Sequence, residues 1–144
     1  MIMSDGISWI SQVKYRLFNK FPYPDMPFVK IEDGSIFWID FVDQKPSHIS
    51  IGKNARHCGL IKLLWKNETL EIWDINLFPK YRGKGLGTQL LNWLIFYARK
   101  EKMQEIWGLV VPEDEQDFDR LMAWYLCHGF QRESPSGKCI RMML

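Results

Sequence analysis

The sequence predicts one mixed α/β domain spanning 1–144: a central, largely antiparallel sheet with one parallel strand pair, flanked by helices. Two of the observations behind this are turns. Asp33-Gly34 and Lys66-Asn67-Glu68 each separate two runs rich in β-branched and aromatic residues, which marks antiparallel hairpins. The third is a strand, helix, strand unit over 69–77, 85–101 and 106–111, whose length asks for a parallel pair joined by a right-handed crossover.

Each element follows in order. Ile7, Ile10, Val13, Leu17 and Phe21 recur at nearly helical spacing, so a helix is expected over 5–20, capped by Ser4 or Asp5 and ended by Pro22, Pro24 and Pro27. It reads as core, with a lid around Trp9 as the alternative. Strands follow at 28–32 and 35–42. The polar stretch 43–57 reads as loop with one short strand at Ile49–Ile51. Strands at 58–65 and 69–77 form the second hairpin. Leu90, Leu91, Leu94 and Ala98 mark one face of the next helix, while Trp93, Phe96 and Tyr97 make its other face apolar. That helix is expected to be buried on two sides or to lie at an interface, which leaves a homodimer open. After the strand at 106–111, Phe118, Leu121, Met122 and Tyr125 stripe a last helix, with Asp117 as N-cap and Gly129 as its C-terminal glycine. Residues 130–134 and 138–143 close the chain as an antiparallel pair.

Composition excludes several classes. The chain is 47% hydrophobic and 25% charged, ordinary globular usage that argues against disorder. A net charge of only +2 with scattered Lys and Arg gives no footprint for general nucleic-acid binding. No apolar run is long enough to span a membrane and the start is unlike a signal peptide, so a cytoplasmic protein is expected. Cys58, Cys127 and Cys139 lack CxxC spacing and read as reduced thiols. Cys127-His128 as a thiol nucleophile and His57-Cys58 as a metal site are poor readings: sequence neighbours point to different faces and no third ligand is suitably spaced. No metal is expected.

The most informative segment is FPKYRGKGLGTQLL. Gly83, Gly85 and Gly87 lie between a strand and a helix, where bare backbone N–H groups and the positive helix end hold anions such as pyrophosphate, with Arg82 and Lys84 adding charge. It is not a P-loop, because Gly85 rather than Ser or Thr follows Lys84, and GKGLG does not meet the dinucleotide fingerprint GxGxxG.

Arg82, Gly85 and Gly87 also match Arg/Gln-x-x-Gly-x-Gly/Ala, and Trp124-Tyr125-Leu126-Cys127-His128-Gly129-Phe130 matches aromatic-Tyr-x-x-x-Gly-Phe. In order and in this structural context, the two resemble the GNAT superfamily of N-acetyltransferases over about residues 58–144. The resemblance implies acetyl-CoA as cosubstrate, bound where the two parallel strands splay apart. Leu77 and Phe78 would offer strand groups to the pantetheine, and residues 83–88 (Gly83, Lys84, Gly85, Leu86, Gly87, Thr88) would hold the pyrophosphate. Many members carry Asn where this chain has Phe118, and they begin with a strand where this chain begins with a helix.

Direct attack of an amine on a thioester needs the amine neutral, although its unperturbed pKa is about 10.4. A carboxylate or a water chain must take the proton. Glu71 sits on the strand where some histone-acetylating members of that family hold their general base and is favoured, with a solvated strand charge as the alternative; Asp74 is the other acid on that strand, and strict alternation puts the two on opposite faces unless a bulge intervenes. Tyr125 would serve as general acid to the departing thiolate, with a plain core tyrosine as the alternative. The expected activity is transfer from acetyl-CoA to an amine of a small molecule, a protein or an aminoacyl-tRNA. A catalytically silent acyl-CoA sensor is the rival.

Overall fold

The computed structural model describes residues 26–144, so the helix expected over 5–20 lies outside the described residues. Eight strands form one sheet: β1 Phe28–Lys30, β2 Ile36–Asp40, β3 His48–Lys53, β4 Arg56–Lys66, β5 Thr69–Leu77, β6 Glu105–Leu109, β7 Gln131–Arg132 and β8 Cys139–Met143. Their spatial order is β1-β2-β3-β4-β5-β6-β8-β7. Every neighbouring pair is antiparallel except β5 and β6, the parallel pair expected from the strand, helix, strand unit.

Two helices are described, α1 over Leu86–Lys100 and α2 over Phe118–Cys127. On α1, Leu90, Leu91, Leu94 and Ala98 are fully buried in one cluster with Ile61, Leu63, Leu70, Ile72 and Ile106 of the sheet. Each such Leu or Ile contributes about 1.5–3 kcal/mol relative to an exposed one. Trp93 and Tyr97 are buried as well, stacked at 5.2 Å and packed against Phe41, so α1 is covered on two sides as expected, whereas Phe96 faces outward. The Tyr97 hydroxyl donates to the carbonyl of Gln44, which fixes the connection between β2 and β3 over this cluster.

Two expectations are corrected. The stretch 43–57 is mostly sheet: Ile49 and Ile51 alternate inward, and Asn54, at φ 54°, turns the chain tightly into Arg56. Asn is one of the few residues that tolerates this left-handed conformation, and the polar tetrad Lys53-Asn54-Ala55-Arg56 conceals a hairpin. Asp117 makes no capping bond either. Asp114 caps one turn earlier, its Oδ1 accepting from Gln116 N–H at 3.0 Å, and Asp117 instead pairs with Arg120 at 3.0 Å.

Candidate active site

β5 and β6 pair only where Thr69–Ile72 faces Glu105–Gly108. At the last paired position the backbones are in contact, since a Cβ on Gly108 would stand 2.8 Å from the Ile72 carbonyl oxygen. Beyond it β5 bulges. Ile72 faces Leu63 and Asp74 faces Lys62, so Trp73 is an extra residue without a partner. A bulge bends its strand, and β5 diverges from β6 at this point.

The bulge also decides where the acids point. Glu71 lies opposite Leu64 and Asp74 opposite Lys62, two positions that share a face of β4, so both carboxylates emerge on the same face. Glu71 belongs to the segment still paired with β6, opposite Trp107, while Asp74 belongs to the open segment. Phe78 N–H donates to the Cys58 carbonyl at 2.9 Å, so alternation turns the backbone groups of Ile75 and Leu77 away from β4, toward the opening. Phe78 has both groups engaged, its carbonyl accepting from Tyr81 N–H at 2.9 Å. The Leu77 carbonyl accepts from Arg82 Nε at 2.7 Å. Of the strand groups expected from these two residues, the Leu77 N–H is left.

Past a short 3-10 turn at Pro79–Tyr81, Arg82 clamps the glycine turn to the strand end, with its guanidinium also donating to Asn76 Oδ1 at 3.1 Å. Gly83 and Gly85 need no Cβ for a conformational reason, with φ of 73° and 80°. Gly85 caps α1 without a side chain, and the first turn carries no acid. The first intrahelical bond is Gln89 N–H to the Gly85 carbonyl, at 3.2 Å, so the N–H groups of Leu86, Gly87 and Thr88 find no acceptor among the described residues. Gly87 differs from the other glycines of the turn. Its φ is not positive, and a Cβ there would meet only a Trp124 ring carbon, at an ordinary 3.6 Å. Nothing in the protein's own packing demands glycine at 87. Gln89 Oε1, one turn into α1, is buried without a partner.

α2 supplies the third part. Trp124 donates from Nε1 to Thr88 Oγ1 at 3.3 Å and packs edge-on against Tyr125 at 4.8 Å, so one indole braces the start of α1 against the α2 tyrosine. Tyr125 is only 7% exposed. Burial pushes its hydroxyl up to about 12, and the negative charge of Asp74 adds to the shift. Asp74 in turn is raised above the ordinary carboxylate value: partial desolvation comes first and Glu113 adds to it, while Lys62 and Arg82 oppose it. Asp74 stands on the face away from the α1 cluster and Tyr125 within that cluster, so their coupling runs across the gap between β5 and β6. Asp74→Asn is therefore expected to lower the Tyr125 pKa. Burial pushes Tyr97 up to about 12 as well, so phenolate absorbance during alkaline titration reads this in a Tyr97→Phe background, where an unmoved last tyrosine would show the two groups to be uncoupled.

Glu113 is the site residue that sequence reasoning missed. It follows Pro112 beyond the end of β6, and only the fold brings it to Asp74. His128 is occupied, its Nδ1 donating to the Trp124 carbonyl at 2.7 Å, and the His57 ring packs edge-on against Trp38. No three His, Cys, Asp or Glu side chains gather as a metal site among the described residues.

Residues 10–130 match the model of the acetyltransferase (GNAT) family. An uncharacterised N-acetyltransferase of Methanocaldococcus jannaschii is 34% identical over 104 residues, 65% of this chain and 43% of that protein, so the chain spans under half the length of this relative. The coenzyme A complex of the PaiA N-acetyltransferase from Thermoplasma acidophilum superposes with a TM-score of 0.58 at 19% identity, covering 67% of this chain and 60% of that one. A GNAT-family acetyltransferase from Listeria monocytogenes 4b gives a TM-score of 0.65 at 9% identity, covering 81% of this chain and 99% of the other. At such identities the structural likeness speaks for the fold.

Proposed function

The chain belongs to the acetyltransferase (GNAT) family, and on that premise we propose that it moves an acetyl group from acetyl-CoA directly onto a primary amine, in the cytoplasm. The observation that carries this reading is the opening between β5 and β6, which leads from the coupled pair Asp74 and Tyr125 to the uncapped start of α1. The residues fit coenzyme A. The N–H groups of Leu86, Gly87 and Thr88 and the positive end of α1 suit a pyrophosphate, Gly87 leaves a cradle that a larger side chain would fill, and the Leu77 N–H suits a pantetheine amide.

Acetyl-CoA, when bound, supplies the acetyl group as an activated thioester. Asp74 accepts the proton that an ammonium acceptor must shed, and its raised pKa brings it closer to that task than an ordinary carboxylate. Tyr125 donates a hydrogen bond to the sulfur. Full proton transfer from a hydroxyl near 12 to a thiolate of about 8.5 would run uphill, so the hydroxyl stabilises developing charge rather than delivering a free proton.

Thiol release over a panel of small amines, protein N-termini and aminoacyl-tRNA tests the activity, with calorimetry for acetyl-CoA beside it. Binding without turnover on any acceptor would replace the enzyme by a sensor. In the same assay Tyr125→Phe is expected to lower kcat roughly 10–100-fold with acetyl-CoA affinity unchanged, because the lost bond strengthens only as charge develops on sulfur. Full kcat in a folded variant would make Tyr125 a core residue.

A further inference from the structure

Tryptophan serves this fold as a brace, and all but one of the described indoles are engaged. Trp38, Trp65 and Trp124 donate from Nε1 to the Asn54 carbonyl, the Pro46 carbonyl and the Thr88 hydroxyl, Trp93 stacks on Tyr97, and the Arg141 guanidinium lies over Trp107. Trp73 makes no hydrogen bond and no ring contact to a described residue. It is 63% exposed, although tryptophan is highly buried on average. It is also the extra residue of the β5 bulge, one step before Asp74.

The far side of the opening is apolar as well. Val110 is buried in the α1 cluster, so alternation turns Leu109 and Val111 onto the opposite face, the one that carries Asp74. They are 55% and 68% exposed. Ile72 and Gly108 are the last paired residues, which sets Leu109 level with Trp73 across the gap. Single exposed apolar residues are ordinary, but three around one opening mark a binding surface.

Place and charge narrow the occupant. Trp73 stands where β5 leaves β6, and the Leu77 N–H suited to the pantetheine is four positions on, about 13 Å at ~3.3 Å per residue. The rim therefore meets the acceptor and not the phosphates. Lys62 faces Asp74 and Arg82 also acts on it, so a second positive charge on the acceptor is opposed there. A flat apolar group meets no such opposition, and an indole stacks on an aromatic ring. Neighbouring Cα atoms are about 3.8 Å apart, so a ring on Trp73 and an amine at Asp74 belong to one small unit, a few bonds from each other.

We propose that Trp73 determines acceptor specificity, and that the acceptor is a primary amine whose own carbon skeleton carries an aromatic ring, stacked on the indole and flanked by Leu109 and Val111. The inference rests on the amine acetylation proposed above. Two sources carry this chemistry, a free arylalkylamine and an aromatic residue at the N-terminus of a polypeptide.

Thiol-release kinetics with phenethylamine and the tripeptide Phe-Ala-Ala, against ethylamine, Ala-Ala-Ala and 1,4-diaminobutane, test it in wild type, Trp73→Ala and Trp73→Phe. In the wild type, kcat/KM for a ring-bearing acceptor is expected to exceed that of its ringless counterpart by roughly 10–100-fold, mostly through KM. Trp73→Ala brings that ratio near one, and Trp73→Phe keeps most of it. A preference confined to phenethylamine assigns a free amine, and one confined to the tripeptide assigns a polypeptide N-terminus. A wild-type ratio near one, a ratio unchanged in Trp73→Ala, or 1,4-diaminobutane as the best acceptor overturns the proposal. So does a Trp73→Ala protein with a lower melting temperature or altered oligomeric state and an unchanged ratio, which would give the rim to the chain's own residues 1–25 or to a second copy. Leu109→Ser carries the same expectation at smaller size if Trp73→Ala fails to fold. Calorimetry with phenethylamine separates the two readings: saturable binding that Trp73→Ala abolishes, without acetylation of any amine, would sink acetyl transfer and leave the rim's assignment standing.

Discussion

Asp74→Asn is expected to lower kcat by roughly 10²–10⁴-fold while acetyl-CoA affinity stays unchanged, because it removes the proton acceptor and leaves the phosphate end untouched. The pH profile carries the diagnosis. A base raised from its ordinary carboxylate value gives a kcat that climbs with pH through that raised value, and the variant should lose the climb. Glu71→Gln is the comparison, since Glu71 leaves the same face of β5 within the paired segment. A large loss there with Asp74→Asn near wild type would transfer the role to Glu71. Stability should not confuse the result. A carboxyl raised in the folded state contributes stability below its unfolded pKa and loses it as pH rises through the folded value, so at neutral pH the ionised Asp74 is a cost that Asn relieves. Thermal unfolding at neutral pH should show the variant no less stable than wild type.

Gly87→Val should weaken acetyl-CoA binding by about 100-fold or more, near 2.7 kcal/mol, with the fold retained. The backbone at 87 accepts any residue, and only the Trp124 ring lies within reach of an added Cβ. What the valine methyls would fill is the space before the free N–H groups of α1. Gly87→Ala separates ligand from fold, because one methyl at 3.6 Å from Trp124 is ordinary packing. Wild-type affinity in a folded Gly87→Val protein would remove the phosphate assignment from this turn.

What could be read from the sequence was local. Asp33-Gly34 marked its hairpin, the Leu90, Leu91, Leu94 and Ala98 stripe marked α1, and the glycines between a strand and a helix marked the turn, because each signal lies within one element. The bulge at Trp73 left no such trace. It exists as a mismatch of register with β4, and it alone brings Glu71 and Asp74 to one face, against the alternation a lone strand predicts. The hairpin at Asn54 was hidden for a similar reason, since its strands are recognised by what Ile49 and Ile51 face across the sheet. A basic cavity beside the glycine turn was least legible. The residues that line it, Lys53, Arg56, Lys80 and Lys84, are spread over 32 positions of chain, and only the fold assembles their charge.

The Trp124 brace makes the site a gauge of length. One indole touches the first turn of α1 through Thr88 and the neighbouring Tyr125 through its ring, so the interval between anion seat and hydroxyl is set by tertiary structure and not by a loop. On the proposed function, a carrier whose handle is shorter or longer than this fixed span can satisfy one end or the other. Carriers of different length are then told apart by a built-in measurement, whereas acyl groups borne on one carrier are not.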